Sequence, residues 1–538
     1  MANIPFRGLA SKGILRDPDP FSLDPSSWSR GYNVMFRGAK VERSPGFRTI
    51  KDELAFTPQC ALGQQPSVGY ASVVIMANDG TAYSLASNTL TDVSQTAYTP
   101  SVATPAWTMD ILGDVVYANR PDQVPMCLTP GATNMVTLTG WNSTWRARSL
   151  RAFGNYMVAM NVTKGATQLQ NLVKWSDLAL QGAPPASWDE TDPTTNAGEN
   201  PLEQSHTPLV DGLPLRGSFA IYSTNEVWLM EPVTNNDVFH FRRAFGSGGM
   251  INPNCAVEVD GVHYVFGPND IYKHDGVSKS SIIEGRDHEA LYRAINSANL
   301  NCCFVHYDPR RRNVLFAFNG NDPDSAFPSG DFCNMGALYS IPNDAWTLFV
   351  DVPNLSAMTR GSVNVALTYT TAGTTYTYDN MGGTYFSQDA NFDEQSVAVG
   401  ASISGALTHS RIYGYDFLTK GTMSYPICEE ATAPAWIERT GIDLDEMGAD
   451  LRAYKLIRAI LPQTTIYDGQ PLTVTIGGHM SPGGVVEWAD PVTYDPSTGY
   501  KCDIVGGGRY LAVKFEFGAY SDFELASYDL DLTPNGEY

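Results

Sequence analysis

The chain has 538 residues, 43% of them hydrophobic and only 17% charged, which argues against a disordered protein and leaves room for more than one core. Asp and Glu number 57 against 35 Lys and Arg, and the net charge of −22 opposes a phosphate backbone and a conventional DNA-reading role. The 48 Gly and 34 Pro are scattered among Tyr, Phe, Val and Thr, a mixture that suits short strands and many turns, so the chain is read as all-β.

In chain order, the opening MANIPFRGLASKGILRDPDP has no apolar h-region, so no secretory signal is expected and folding in a reducing cytoplasm is. GYNVMFRGAKVERSPGF (31–47) predicts a hairpin around Arg37-Gly38 and a turn at Pro45-Gly46. Further hairpins follow at VIMANDGTAYSLA (74–86), around Gly113-Asp114, around Gly154-Asn155 and at Thr224-Asn225. VDGVHYVFGPNDIYKHDG (259–276) carries three turns, and two more hairpins turn at 309–312 and 342–344. The spacings from Gly80 to Gly113, Gly113 to Gly154, Asn225 to Gly261 and Gly261 to Pro309 are 33, 41, 36 and 48 residues. A period near 40 is what one four-stranded propeller blade consumes, and such blades stack because none buries both faces alone.

Residues 163–212 interrupt the period with a polar, proline-rich, acidic stretch, read as a long loop insertion; 320–335 is a smaller one. Helix is expected at RDHEALYRAINSAN (286–299), capped by Asp287, and more weakly at 445–455. After residue 425 longer alternating strands such as LTVTIGG (472–478) and YLAVKFEFG (510–518) predict a separate β domain. The organisation expected is therefore an N-terminal hairpin segment (1–50), a β-propeller (51–425) and a C-terminal β domain (426–538) that the first segment joins. No apolar run reaches the roughly 18 residues of a membrane span.

No enzyme signature is present: GxxxxGK[ST], HExxH and GxSxG are all missing, and FGSGGMINP (245–253) fails GxGxxG at Ile251. The eight histidines lack partners at ligand spacing; His263 and His274 can approach across their hairpin and are read as structural. Asp189-Glu190 sit in the loop, poor support for the fixed separation of a glycosidase pair. The eight cysteines show no CxxC, and the adjacent Cys302-Cys303 are read as buried free thiols. No catalytic residue, cofactor or metal site is assigned, and the protein is read as a non-enzyme. The arginines at 146, 148 and 151, at 242–243 and at 310–312 are read as ion-pairing between subunits rather than as nucleic-acid contacts.

Several of these segments carry a resemblance. YNVMFRGAKVERSPGF, AIYSTNEVWLMEP, FGSGGMINPNCAVEVDGVHYVFGPNDIYKHDG, HYDPRRRNVLFAF, YSIPNDAWTLF and the closing GRYLAVKFEFGAYSDFELASYDLDL (508–532) occur in that order. The run resembles the tail nozzle (tail tubular B-like) proteins of short-tailed bacteriophages and the related packaged-DNA stabilisation hub proteins. The resemblance implies a propeller with sandwich-like platform domains. It further implies a structural virion protein assembled in the host cytoplasm, about six copies of which form a homohexameric ring around the DNA exit channel. The implied partners are a tail adaptor (tail tubular A-like), portal-proximal proteins, tail fibres and double-stranded DNA in passage, with no catalytic residues to carry over. In such a conduit part of the acidity should face the channel, and Asp189, Glu190, Asp192, Asp393 and Glu394 are the candidates. The alternative expectation is a receptor- or carbohydrate-binding propeller of a phage tail.

Overall fold

A computed structural model of the chain describes residues 2–537 except 66, 68–70, 87–88, 96–105, 234–236, 326, 328, 362–394, 405–406, 416–433, 446–452, 468–469 and 519–520. It is an all-β protein. Five four-stranded antiparallel sheets succeed one another along the chain, over residues 58–92, 108–137, 145–201, 209–245 and 256–281. A seven-stranded sheet follows. Its strands run Phe304–Asp308, Asn313–Phe318, Cys333–Ser340, Ala345–Arg360, Ser396–Ser404 and Leu407–Tyr415, and Phe47–Leu54 from before the first sheet lies at the far edge.

The hairpins form where alternation and turn chemistry place them. Val259 pairs with Val262 across a two-residue turn in which Asp260 (φ 53°) and Gly261 (φ 78°) are both left-handed, the conformation that an Asp-Gly turn supplies between twisted strands. The sheets cover one another's apolar faces in succession. Val74 and Met109 share a core between the first and second sheets, Tyr117 and Leu150 between the second and third, and Val173 and Ile221 between the third and fourth. Leu229, Val265 and Phe316 join the fourth, fifth and sixth, and Ile75 packs with Val399 and Ile412 between the first sheet and the last. At that last seam the Gly63 amide donates to Thr359 Oγ1 at 2.8 Å, and a Cβ on Gly63 would fall 1.7 Å from the Arg360 carbonyl oxygen.

Both ends of the chain build two further six-stranded sheets. One orders Val34–Arg37, Lys40–Arg43, Phe523–Glu537, Ala453–Ile466 and Cys502–Gly508, with Ala2–Phe6 also on Phe523–Glu537. The other orders Arg30–Tyr32, Ala435–Ile442, Tyr510–Phe517, Leu472–His479 and Glu487–Trp488, with Val492–Tyr494 on Leu472–His479. Phe36, Ile457 and Leu530 of the first meet Ile437, Val474 and Phe515 of the second in one core, a two-layer sandwich. The segment between its first strands straps the sandwich to the other sheets. Ile14 N donates to Trp346 O (3.0 Å), and the Asp351 carboxylate accepts from Tyr32 Oη and Asn33 Nδ2, each at 2.9 Å.

Two expectations are corrected, and a third falls mostly outside the described residues. The stretch 163–212 is not one loop: it contains the strands Thr167–Trp175, Gly198–Pro201 and most of Leu209–Leu215, leaving 176–197 as the excursion. The polar outer half of Thr167–Trp175 hid a strand whose last four residues are buried. The segment 445–455 ends in strand at Ala453, and 446–452 lies outside the described residues. The helix α1 (His288–Ala294) forms, but Asp287 makes no side-chain cap bond: the Glu289 and Ala290 amides donate instead to the Asp17 carboxylate of the strap (2.9 and 3.1 Å), and Arg16 N donates to Asp287 Oδ1 at 2.9 Å. Among the described residues no helix is long and apolar enough to cross a membrane.

Candidate functional site

The leading strand of each sheet, or the residue at its edge, reaches one shared cavity of about 500 Å³; Cys60, Met109, Arg151, Leu213, Ala256 and Phe304 contribute one wall position from each of the six in turn. That volume suits a small molecule.

Arg151 is the cationic side chain of its wall, and Asp331 the anionic one. Arg151 projects from strand Trp145–Phe153, and its Nε donates to Asp211 Oδ1 at 2.9 Å, its Nη1 to Met109 O at 2.8 Å and its Nη2 to Asn254 Oδ1 at 2.7 Å. Asp211 is fully buried and also accepts the Asn254 amide at 3.0 Å, so one ion pair clamps the second, third, fourth and fifth sheets at their inner edges. Burial opposes the guanidinium charge, but the Asp211 carboxylate outweighs it and raises the pKa above its ordinary value. Asp110 lies beside this pair and is pushed up, chiefly by burial. Trp107 Nε1 and Gln59 Oε1, both on wall residues, are buried with no hydrogen-bond partner among the described residues.

The two hairpin histidines do come together. His263 and His274 are cross-strand partners, and Tyr222 Oη lies 2.5 Å from His263 Nδ1 and 2.7 Å from His274 Nε2. The tautomers follow from the outer partners. His263 Nε2 faces the Pro214 carbonyl at 2.7 Å and must donate, so Nδ1 accepts the Tyr222 proton. His274 Nδ1 accepts the Gly276 amide at 3.2 Å, so Nε2 donates to the Tyr222 oxygen. Every position is filled by neutral rings. Burial accordingly lowers His263 to about 4 and, with His263 beside it, His274 to about 3. These are structural histidines, as the sequence reading has them.

The loop carboxylates stand away from the cavity wall. Asp189 Oδ1 accepts Thr191 N (2.9 Å) and Oγ1 (2.7 Å), and Asp192 Oδ1 accepts the same pair from Thr194 (2.9 and 2.7 Å), two Asx turns that shape the loop. Glu190 turns inward with Glu199 to meet Lys164 and Lys174, with Nζ to carboxylate distances of 2.5 to 3.2 Å. Both ammonium groups lie over the Trp145 ring, 4.6 and 4.9 Å from its centroid. Burial pushes the Glu190 carboxyl up, but the hydrogen bond from Lys174 and the second from Lys164 prevail and hold it at about 2. Asp393 and Glu394 lie outside the described residues.

The arginines read as intersubunit groups find partners inside the chain: Arg242 pairs with Glu231 (2.9 Å), Arg243 with Glu226 (3.6 Å) and Arg312 with Asp260 (2.6 Å). Sequence reasoning missed the Arg151–Asp211 clamp, because its partners lie 60 and 103 residues away in sequence. It also missed the gathering of Cys302, Cys303 and Cys333. Two adjacent cysteines were the signal for the last.

No family model matches the chain, and no curated protein matches it. Among solved structures, the crystal structure of the computationally designed Ika8 protein is similar at 11% identity, over 57% of this chain and 91% of that one, with a TM-score of 0.34, too low to identify a shared fold.

Proposed function

We propose that the protein is the tail nozzle of a short-tailed bacteriophage, a structural virion protein whose copies ring the DNA exit channel and pass the genome during ejection. One observation carries this reading: the ordered motifs of the resemblance fall on successive hairpins of the sheet series. AIYSTNEVWLMEP spans two strands of the fourth sheet, the DG…GPNDIY…DG run spans the fifth, and YSIPNDAWTLF joins two strands of the last. The sheets then serve as propeller blades, stiffened by the Phe47–Leu54 strand that ties the start of the series to its end, and the sandwich serves as the platform.

A cavity of about 500 Å³ admits a small ligand and not a duplex, so in this reading DNA passes between copies in the ring and not through any one of them. The net charge of −22 supports passage, since like-charged walls do not trap phosphates in many weak ion pairs. Asp189, exposed on the loop, and the half-buried Asp192, together with Asp393 and Glu394, are the candidate lumen groups; Glu190 is committed to Lys164 and Lys174. The adaptor, portal-proximal and fibre contacts belong to the same proposal.

The test is electron microscopy of assembled particles with an antibody or tag on this chain. A ring of this protein at the distal end of the tail is expected, and its location in the capsid shell or in a lateral spike would refute the reading. The alternative, a receptor- or carbohydrate-binding module, has one observation in its favour: Trp107 and the amides of Gln59, Asn252 and Asn254 at the cavity wall. Glycan-array binding that Trp107→Ala abolishes would establish it instead.

A further inference from the structure

Three sulfurs converge where the cavity meets the last sheet. Cys302 ends the 3-10 turn Ser297–Cys302, Cys303 precedes strand Phe304–Asp308, and Cys333 opens Cys333–Ser340 two strands away. Cys333 Sγ donates to Cys302 O at 3.0 Å and lies 3.6 Å from Cys302 Sγ. The fully buried Cys255 Sγ donates to Cys303 O at 3.1 Å and holds the turn from the other side. Cys302 alone of the trio is half-buried, and it lines the cavity, so a small solute in the cavity can reach its sulfur.

We propose that Cys302 is a peroxide-reactive thiolate and Cys333 its resolving thiol. The adjacent Cys303 and then the Cys333 thiol, whose one proton can turn from Cys302 O to Cys302 Sγ, favour the Cys302 thiolate over the opposing effect of burial, while Cys333 and Cys303 are themselves held as thiols. The chemistry balances with hydrogen peroxide as the oxidant. The Cys302 thiolate attacks one peroxide oxygen, the O–O bond breaks, and hydroxide leaves a sulfenic acid on Cys302. Cys333 then attacks that sulfur, an S–S bond forms, and the sulfenic oxygen leaves as water with the Cys333 proton. Closing 3.6 Å to the roughly 2.05 Å of a disulfide requires a movement within the reach of side-chain rotation. The product would tether the turn at 297–302 to the head of Cys333–Ser340.

The cavity contains its own control. Cys60 lines the same wall, but burial pushes its thiol up to about 11 with no thiol donors to oppose it. Both sulfurs border the cavity, Cys302 half-buried and Cys60 buried, so Cys302 is favoured in access as well as in activation. The experiment takes the reduced full-length protein, adds hydrogen peroxide, quenches with N-ethylmaleimide and maps peptides without reduction. Cys302 is expected to be consumed at least about tenfold faster than Cys60, with a Cys302–Cys333 crosslink as the product. Cys333→Ser should instead accumulate a dimedone-reactive sulfenic acid at Cys302. Equal rates at Cys302 and Cys60, or a crosslink from Cys302 to Cys303 in the unaltered chain, would overturn the assignment. Because the unaltered protein supplies the decisive rates, a variant that fails to fold leaves the test intact.

Discussion

At the scale of single residues, the interior holds charges and rings whose partners are fully specified. Arg151 and Asp211 satisfy each other in the core, and removing one leaves the other buried and unpaired. Arg151→Ala should therefore cost about 3–5 kcal/mol, read as a fall in the urea midpoint, and a loss below about 1 kcal/mol would show that water replaces the guanidinium. Tyr222→Phe removes a donor and an acceptor from the histidine chain and should cost about 1–3 kcal/mol. Titration separates two further groups by sign. His263 and His274, lowered to about 4 and 3 from an unfolded value of about 6.5, contribute stability that is present above pH about 6.5 and lost as pH falls toward those values. Asp287 is raised to about 7, chiefly by burial against the opposing Arg16 amide and guanidinium, so its contribution is present below about 3.9 and lost as pH rises through about 7. Denaturation of Asp287→Asn across pH should show a variant that gains on the parent between pH 4 and 8, and a constant difference would refute the buried carboxyl.

At the scale of elements, the seams between sheets carry the least tolerance. Gly63 touches the Arg360 backbone where the first sheet meets the last, and any Cβ there must drive two strands apart. Gly63→Ala should lower the melting temperature by several degrees while leaving the sandwich core folded, which hydrogen exchange resolved by peptide would localise to 58–64 and 355–360. The 176–197 excursion behaves differently, since its Asx turns are local and one charge box ties it down. Glu190→Gln should accelerate proteolytic cleavage within 176–197 without moving the global unfolding midpoint. In the parent the tether persists above pH about 4.5 and is released as pH falls through about 2, because the pairing depresses the Glu190 pKa.

At the scale of the whole molecule, segments from both ends of the chain share one core. Phe6 of the first strand and Leu9, Ile14 and Trp28 of the strap are each 1% exposed or less, and about 1.5–3 kcal/mol for each buried large side chain sums to the order of a domain's entire stability. Deletion of residues 2–28 is accordingly expected to give insoluble protein, and a soluble, cooperatively unfolding truncation would show that the sandwich stands without its strap. On the proposed nozzle reading, Asp189→Lys with Asp192→Lys should preserve particle formation and slow genome release, most at low salt, where screening is weakest. Single-particle ejection kinetics unchanged across ionic strength would assign that acidity to solubility.

What could be read along the chain was what is decided within a few residues. Alternation and turn chemistry placed the hairpins at 154–155, 224–225 and 260–261, because strand face and turn type depend on adjacent side chains. His263 and His274 were legible as neighbours for the same reason, since their register follows from one turn. Thr167–Trp175 escaped because its outer half is solvated on both faces and its strand state comes from pairing with Tyr156–Lys164. Asp287 read as a cap from its place before a helix, yet Asp17 took that role from 272 residues away. The Arg151 clamp, the shared cavity and the thiol cluster are likewise contacts between residues far apart in sequence. Composition and spacing carry no term for such contacts; only the tertiary packing of successive sheets brings their charges and sulfurs to one place.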